Sequence, residues 1–351
     1  METVQIRYTE QQLQTFLQQL FTSAGVEEHS ASLVSRHLVT AHMRGVTSHG
    51  VIRTGIYIKR LRKGVVEKKD GFTIERETPV SATVNGGNGL GIPIASESIK
   101  LAVQKAKQSG VGMVAVTNSN HCGMLADYTN YAADQGCISL AFTNSPSAVA
   151  PWGGLEKYFG TNPFSYAVPR RDAPNIVFDM ATSAVAKGKI IAAKNNGESI
   201  PLGWAITKDG EPTTDPAEAL DGLLLPVGGP KGYGIAFLVE MLSTALSGAA
   251  TGPHMGDLYH DFEKKQNNGH FFLAFRPDLF EDIDVFHDRI DQLAAEVQSV
   301  AVQEGIERVL LPGELEHAKL QKHQAEGVEL SPVLAAELRE LALELGVDPL
   351  D

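Results

Sequence analysis

The sequence predicts an α/β fold, with strands and helices alternating through the middle of the chain and helices at both ends. Between residues 81 and 275 short apolar runs alternate with amphipathic stretches. On either side of that stretch, before residue 62 and after residue 282, apolar residues recur at helical spacing instead. The expected division is a helical domain over 1–75, completed by 280–351, and an α/β domain over 76–279.

Each element has its own reason. Thr9 and Gln12 have the spacing of a capping box, and Leu13, Phe16, Leu17, Leu20 and Phe21 form one apolar stripe behind it. A second helix is expected over 31–41. Arg44-Gly-Val-Thr-Ser-His-Gly50 reads as a turn, and a third helix as running over 51–62, with Ser48 as its cap and Gly64 as its stop. Buried strands are expected at 111–116 and 137–142, flanking a helix at 124–134 in the manner of a βαβ unit and preceded by a helix at 94–108. Further strands fit 164–168, 176–178 and 271–275, and helices fit 185–193 and 233–246. The helical end comprises 289–303, 314–325 and 332–345. No tandem repeat or low-complexity linker interrupts the chain.

With 351 residues, 43% of them hydrophobic, the chain can bury a substantial core. Its net charge of -12 argues against a nucleic-acid surface, which needs a dense positive stripe. No apolar stretch is long enough to span a membrane, and the first residues lack the layout of a signal peptide, so the expected location is cytoplasmic. Cys122 and Cys137 form no metal-spaced pair and read as buried small side chains. His254, His260 and His270 are too irregularly spaced for a zinc site, so no metal is expected. The absence of Gly-x-Ser-x-Gly gives no support to a serine hydrolase.

The most informative residues are His49, Arg53 and Tyr57, four apart. In a continuous helix a four-residue step turns about 400°, so the three side chains would share one face. A guanidinium can grip a carboxylate with two parallel hydrogen bonds, and an imidazole can take or return the proton of a neighbouring hydroxyl. At a helix start the dipole would keep His49 neutral and able to accept that proton. A plain polar helix face explains any one of the three equally well.

Asn118-Ser-Asn-His-Cys-Gly123 follows a predicted strand and makes His121 a second candidate for proton transfer or substrate orientation; a structural capping loop is the competing reading. Asp179-Met-Ala-Thr-Ser183 ends another strand, where its polar groups could meet ribose or an amide. Gly228-Gly-Pro-Lys-Gly-Tyr-Gly234 opens an apolar helix and sets Lys231 beside unpaired backbone amides, an anion-site pattern without the Ser or Thr of a P-loop. Asn85-Gly-Gly-Asn-Gly-Leu-Gly91 fits the dinucleotide glycine fingerprint poorly, since Ile94 stands where the third glycine belongs.

Taken in order, these motifs, together with Gly160-Thr-Asn-Pro163, Gly203-Trp204, Thr213-Thr-Asp-Pro216 and Leu311-Pro-Gly-Glu314, resemble the malate/L-lactate dehydrogenase family, over about residues 5 to 330. The resemblance implies NAD(P)-dependent interconversion of a 2-hydroxy acid and its 2-oxo acid. It also implies a non-Rossmann NAD(P)-binding domain with a mixed β-sheet, a helical domain built from both chain ends, and a homodimer. Position by position it places acid/base roles on His49 and His121 and the substrate carboxylate on Arg53. Tyr57 would orient the imidazole or the substrate. Cofactor contacts fall on Ser145, Asp179, Met180, Ala181, Lys231, Pro312, Gly313 and Glu314. NAD is the expected cofactor and NADP the alternative, since no basic pair is evident for a 2′-phosphate. Where relatives commonly carry Asp two residues before the Arg-Gly, this chain has His42. Ureidoglycolate oxidation, reduction of a cyclic imine acid, and a nucleotide-binding regulatory module without turnover are the competing functional readings.

Overall fold

The computed structural model describes residues 6–69 and 71–350. A short strand β1 (Arg7–Tyr8) leads into α1 (Glu10–Ser23), α2 (Glu28–Met43) and α3 (Arg53–Arg62), with a tight 3-10 turn at Thr47–His49 between the last two. The capping box forms as expected: Thr9 Oγ1 accepts from Gln12 N–H, and Gln12 Oε1 accepts from Thr9 N–H. The α/β part follows with β2 (Thr73–Glu77), β3 (Ser81–Asn85), α4 (Gly91–Ser109), β4 (Val111–Ser119), α5 (Ala126–Asp134), β5 (Ile138–Thr143), β6 (Phe164–Val168) and β7 (Ile176–Met180). Then come α6 (Lys187–Asn196), β8 (Ala205–Ile206), α7 (Pro216–Asp221), β9 (Leu223–Leu224), α8 (Pro230–Glu240, running into a π-helical turn at Met241–Ala245) and β10 (Asn268–Phe275). The chain closes with α9 (Ile283–Ser299), α10 (Glu314–Glu326), β11 (Val328–Glu329) and α11 (Pro332–Leu345).

Among the described residues, seven strands form one mixed sheet in the order β2-β3-β4-β10-β5-β6-β7, in which only β3 and β4 pair in parallel. The expected βαβ unit is corrected here. β4 and β5 run in the same direction, but β10 lies between them and is antiparallel to both. Its apolar run Phe271–Phe275 reads equally well as any buried strand, and its partners are more than a hundred residues away in sequence.

The sheet is covered on both faces, and the strand period of two sorts its side chains. Phe272, Ala274, Val114, Val116 and Ala141 face α4 and α5, while Phe271, Ala115 and Phe142 pack against Val239 of α8. A separate core joins the ends of the chain: Leu13, Leu17, Leu20, Leu38 and Ile58 pack with Leu334, Leu338 and Ala342 of α11, and β1 pairs with β11.

Candidate active site

The turn before α3 sets the first part of the site, and the helix expected from residue 51 starts two residues later. Gly50 is not helical (φ -93°, ψ -147°), and a Cβ there would sit 2.9 Å from His42 Cβ and 3.0 Å from His42 N. Only a residue without a side chain lets the 3-10 turn lie that close to α2. The helix therefore begins at Arg53, and His49 belongs to the turn ahead of it. Ser48 is not a helix cap; its Oγ lies 3.0 Å from His49 Nδ1.

The four side chains nevertheless converge. His49 and His121 stack with ring centroids 5.5 Å apart, and Tyr57 Oη lies 2.6 Å from His121 Nδ1. Arg53, one turn before Tyr57 on α3, lies 5.3 Å over the ring of Tyr259. Burial holds His49 down to about 4, with the Arg53 charge adding to the effect. The expected neutrality stands, but burial is its main cause, not the helix dipole. His121 is pushed well below its ordinary value by burial and then by Arg53 and His49.

His121 is placed by the turn that resembled a glycine fingerprint. Gly91 serves close packing: a Cβ there would lie 2.0 Å from Asn120 O and 2.5 Å from His121 O. Asn120 Nδ2 donates to Asn88 O and Gly89 O, which ties the His121 loop to the turn after β3.

His49 also lines a cavity of about 500 Å³, whose walls include Arg44, Thr161, Asp179, Met180, Ala181, Pro312 and Gly313. The volume suits a small-molecule or cofactor site. Asp179 Oδ2 accepts from Ala126 N–H at the start of α5 (2.7 Å). Its outer side is open to the cleft, and the protein crowded around it raises the carboxyl to about 6 against the backbone amides of Ala126 and Leu125. Gly313 (φ +90°) lets its segment lie flush on β7, where Val177 N–H donates to Pro312 O. Arg44 is only 8% exposed, and its Nε has no hydrogen-bond partner.

The other expected cofactor residues, Ser145, Glu314 and Lys231, are not part of the lining of this cavity. Ser145 stands behind Thr161, its Oγ accepting from Thr161 N–H (2.9 Å). Glu314 is turned into its own loop, accepting from Leu311 N–H, Arg308 and Gln298. Lys231 is exposed in the first turn of α8; Val227, just before that helix, donates its N–H to Thr182 O beside Ala181.

Sequence reasoning missed three contributors. Tyr259 and Arg60 lie in or against a loop with no regular pattern, and Arg44 carried no signal beyond its place in a motif. Arg60, 1% exposed, donates from Nη1 to the carbonyls of Asp257, Leu258 and Asp261 and so clamps the loop that carries Tyr259. His42 is buried at the end of α2, its Nδ1 without a partner.

The profile of the family described as malate/L-lactate dehydrogenase matches residues 8–339. An L-sulfolactate dehydrogenase of Methanocaldococcus jannaschii is 39% identical over 92% of this chain and 93% of its own length. A ureidoglycolate dehydrogenase (NAD(+)) of Escherichia coli K12 is 32% identical over 93% of each. The solved structure of sulfolactate dehydrogenase from M. jannaschii superposes with a TM-score of 0.93 at 37% identity, covering 98% of both chains. The match over most of the chain and the relatives aligned along nearly their whole length lead to one assignment: the chain belongs to the malate/L-lactate dehydrogenase family.

Proposed function

We propose that this NAD(P)-dependent dehydrogenase interconverts a small 2-hydroxy acid, of malate, L-lactate or sulfolactate type, and its 2-oxo acid. The observation that carries the reading is the meeting of His49, His121 and Arg53 at the edge of the cleft bordered by residues 179–181 and 312–313. Arg53 takes the substrate carboxylate in a two-pronged contact. His49, uncharged above about pH 4, accepts the hydroxyl proton at Nε2 when its Nδ1–H donates to Ser48 Oγ. His121 acts as a donor to the same oxygen. Its Nδ1 receives Gly123 N–H (3.3 Å) and Tyr57 O–H, which leaves the ring proton on Nε2.

The cleft fits a nicotinamide dinucleotide. Asp179, Met180 and Ala181 offer an edge for ribose and amide groups, and the unpaired Arg44 guanidinium offers positive charge for a phosphate. When bound, the cofactor supplies the hydride acceptor or donor, so the protein's task is placement and proton handling. NAD is the proposed cofactor and NADP the alternative. The non-Rossmann reading is supported by the mixed sheet and by the turn before α4, where the Asn120 carbonyl packs against Gly91.

A second copy of the chain is the proposed partner. Helix α8 and the turn after it present Ile235, Leu238, Met241 and Leu246 to the outside, an apolar face suited to a homodimer contact. Cys122 and Cys137 are both buried and free, in keeping with a reducing, cytoplasmic setting.

The test is consumption of reduced nicotinamide with a panel of 2-oxo acids, ureido acids and cyclic imine acids, using both reduced cofactors. Turnover of short 2-oxo acids is expected. Cofactor binding without turnover of any compound would replace the enzyme reading with a binding module, and a clear preference for a ureido or imine acid would move the substrate class.

A further inference from the structure

We propose that Asp127 and His37 act together as positioning residues for His121, fixing both the turn that carries it and the ring nitrogen that holds its proton. The inference rests on the reading that His121 faces the substrate oxygen. It is drawn from a buried cluster that neither touches substrate nor lines the cleft.

The path runs through three hydrogen bonds. Asp127 Oδ2 lies 2.9 Å from His37 Nδ1, and Arg36 grips both oxygens of the same carboxylate, with Nη1 to Oδ1 at 3.0 Å and Nη2 to Oδ2 at 2.9 Å. Burial alone would raise the Asp127 carboxyl, but the His37 hydrogen bond and the charges beside it outweigh burial and hold it well below the usual range. On the far side of the ring, Met124 N–H donates to His37 Nε2 (3.0 Å). A backbone N–H can only donate, so Nε2 is the acceptor and the His37 proton sits on Nδ1, facing the carboxylate.

The turn from His121 to Met124 rests on this ring. Gly123 has φ +75°, and a Cβ there would lie 2.2 Å from His37 Nε2, so the backbone touches the imidazole directly. Tyr128, stacked on His37 with centroids 5.2 Å apart, donates to Cys122 O and holds the same turn from the other side. With Met124 N–H committed to His37, the turn points Gly123 N–H at His121 Nδ1 (3.3 Å). That bond can form only when His121 Nδ1 is unprotonated. The carboxylate on α5 thereby specifies the tautomer of an imidazole it never touches, a longer version of the orienting role a carboxylate plays beside a catalytic histidine.

The test reads the tautomer separately from activity. In protein labelled with 15N-histidine, His121 is expected to carry its proton on Nε2, and His37 on Nδ1. His37→Phe keeps a ring on Tyr128 but removes the acceptor; His121 should then become a mixture of tautomers. Turnover should fall roughly tenfold to a hundredfold, as for loss of a bond that orients a working histidine, while KM and the Kd for NADH stay within about threefold of wild type. His37→Gln can still accept from Met124 N–H through Oε1, so it should recover most of that loss. Asp127→Asn, which retains shape but lets either an oxygen or an amide face His37, should give a smaller change in the same direction. Nδ1–H at His121 in the wild-type protein would overturn the proposal, as would an unchanged His121 pattern and turnover in His37→Phe. A shifted tautomer with unchanged turnover would support the couple and remove His121 from the proposed chemistry.

Discussion

At the scale of single residues, the electrostatics of the site separate its two basic groups. His49 gains a proton only near pH 4, because burial and Arg53 both oppose the charged form. Oxidation needs the neutral ring, so the acid limb of kcat/KM for the hydroxy acid should fall near pH 4; a limb at the ordinary histidine value of about 6.5 would assign the proton transfer to a more solvated group. His49→Gln should lower kcat by roughly 10²–10⁴-fold with cofactor binding retained. Arg53→Lys keeps a charge but loses the fork, at a cost of about 1.5–3 kcal/mol, read as a tenfold to hundredfold rise in the KM of short acids with little change in NADH affinity. These residues were legible as candidates because their types and spacing fall within one short segment. The His37–Asp127 pair was not, since the two lie ninety positions apart and neither is unusual on its own helix.

At the scale of elements, α3 does two jobs with one face. Arg53 lies over Tyr259 and Tyr57 meets His121, and Arg60, two turns after Arg53, holds carbonyls of 257–264. Arg60→Met would strand several of those carbonyls, and each buried one left unpaired costs about 1–3 kcal/mol. Thermal denaturation should therefore show a lower Tm, amide exchange should rise first in residues 257–264, and KM should rise because Tyr259 no longer stays over Arg53. Wild-type exchange in that loop would show that other contacts hold it. Element reading from sequence succeeded where one pattern dominates: Phe164–Val168 and Pro332–Leu345 have the expected bounds. It missed β2, whose Thr73–Glu77 run is charged and exposed along its length, as suits a sheet edge. It began the third helix at residue 51 rather than at Arg53, because the packing of Gly50 against His42 that holds the preceding turn is a tertiary contact.

At the scale of the whole molecule, buried histidines couple stability to pH. His270, bonded to Thr143 and Ser119 inside the sheet, is held at about 3, and His49 at about 4. Both values are depressed, so below about 6.5 the unfolded chain binds these protons and the folded chain does not. Stability present above that pH is lost as the pH falls through about 4. Asp179, raised to about 6, acts in the opposite sense between its unfolded value and 6, but it is one open group against the buried rings. The urea midpoint should be lower at about pH 5 than at about pH 7, and His270→Gln should flatten that difference. At the same scale Leu238→Glu, placed on the outer face of α8, should shift sedimentation from dimer to monomer; an unchanged profile would move the contact elsewhere. The position of β10 has a last consequence, for biogenesis. Strands β4 and β5 are made early, yet β10, which fills the gap between them, begins only at Asn268. Until then a chain emerging from the ribosome presents two unpaired backbone ladders facing a vacant slot, an invitation to mispairing that ends only when the last quarter of the protein arrives.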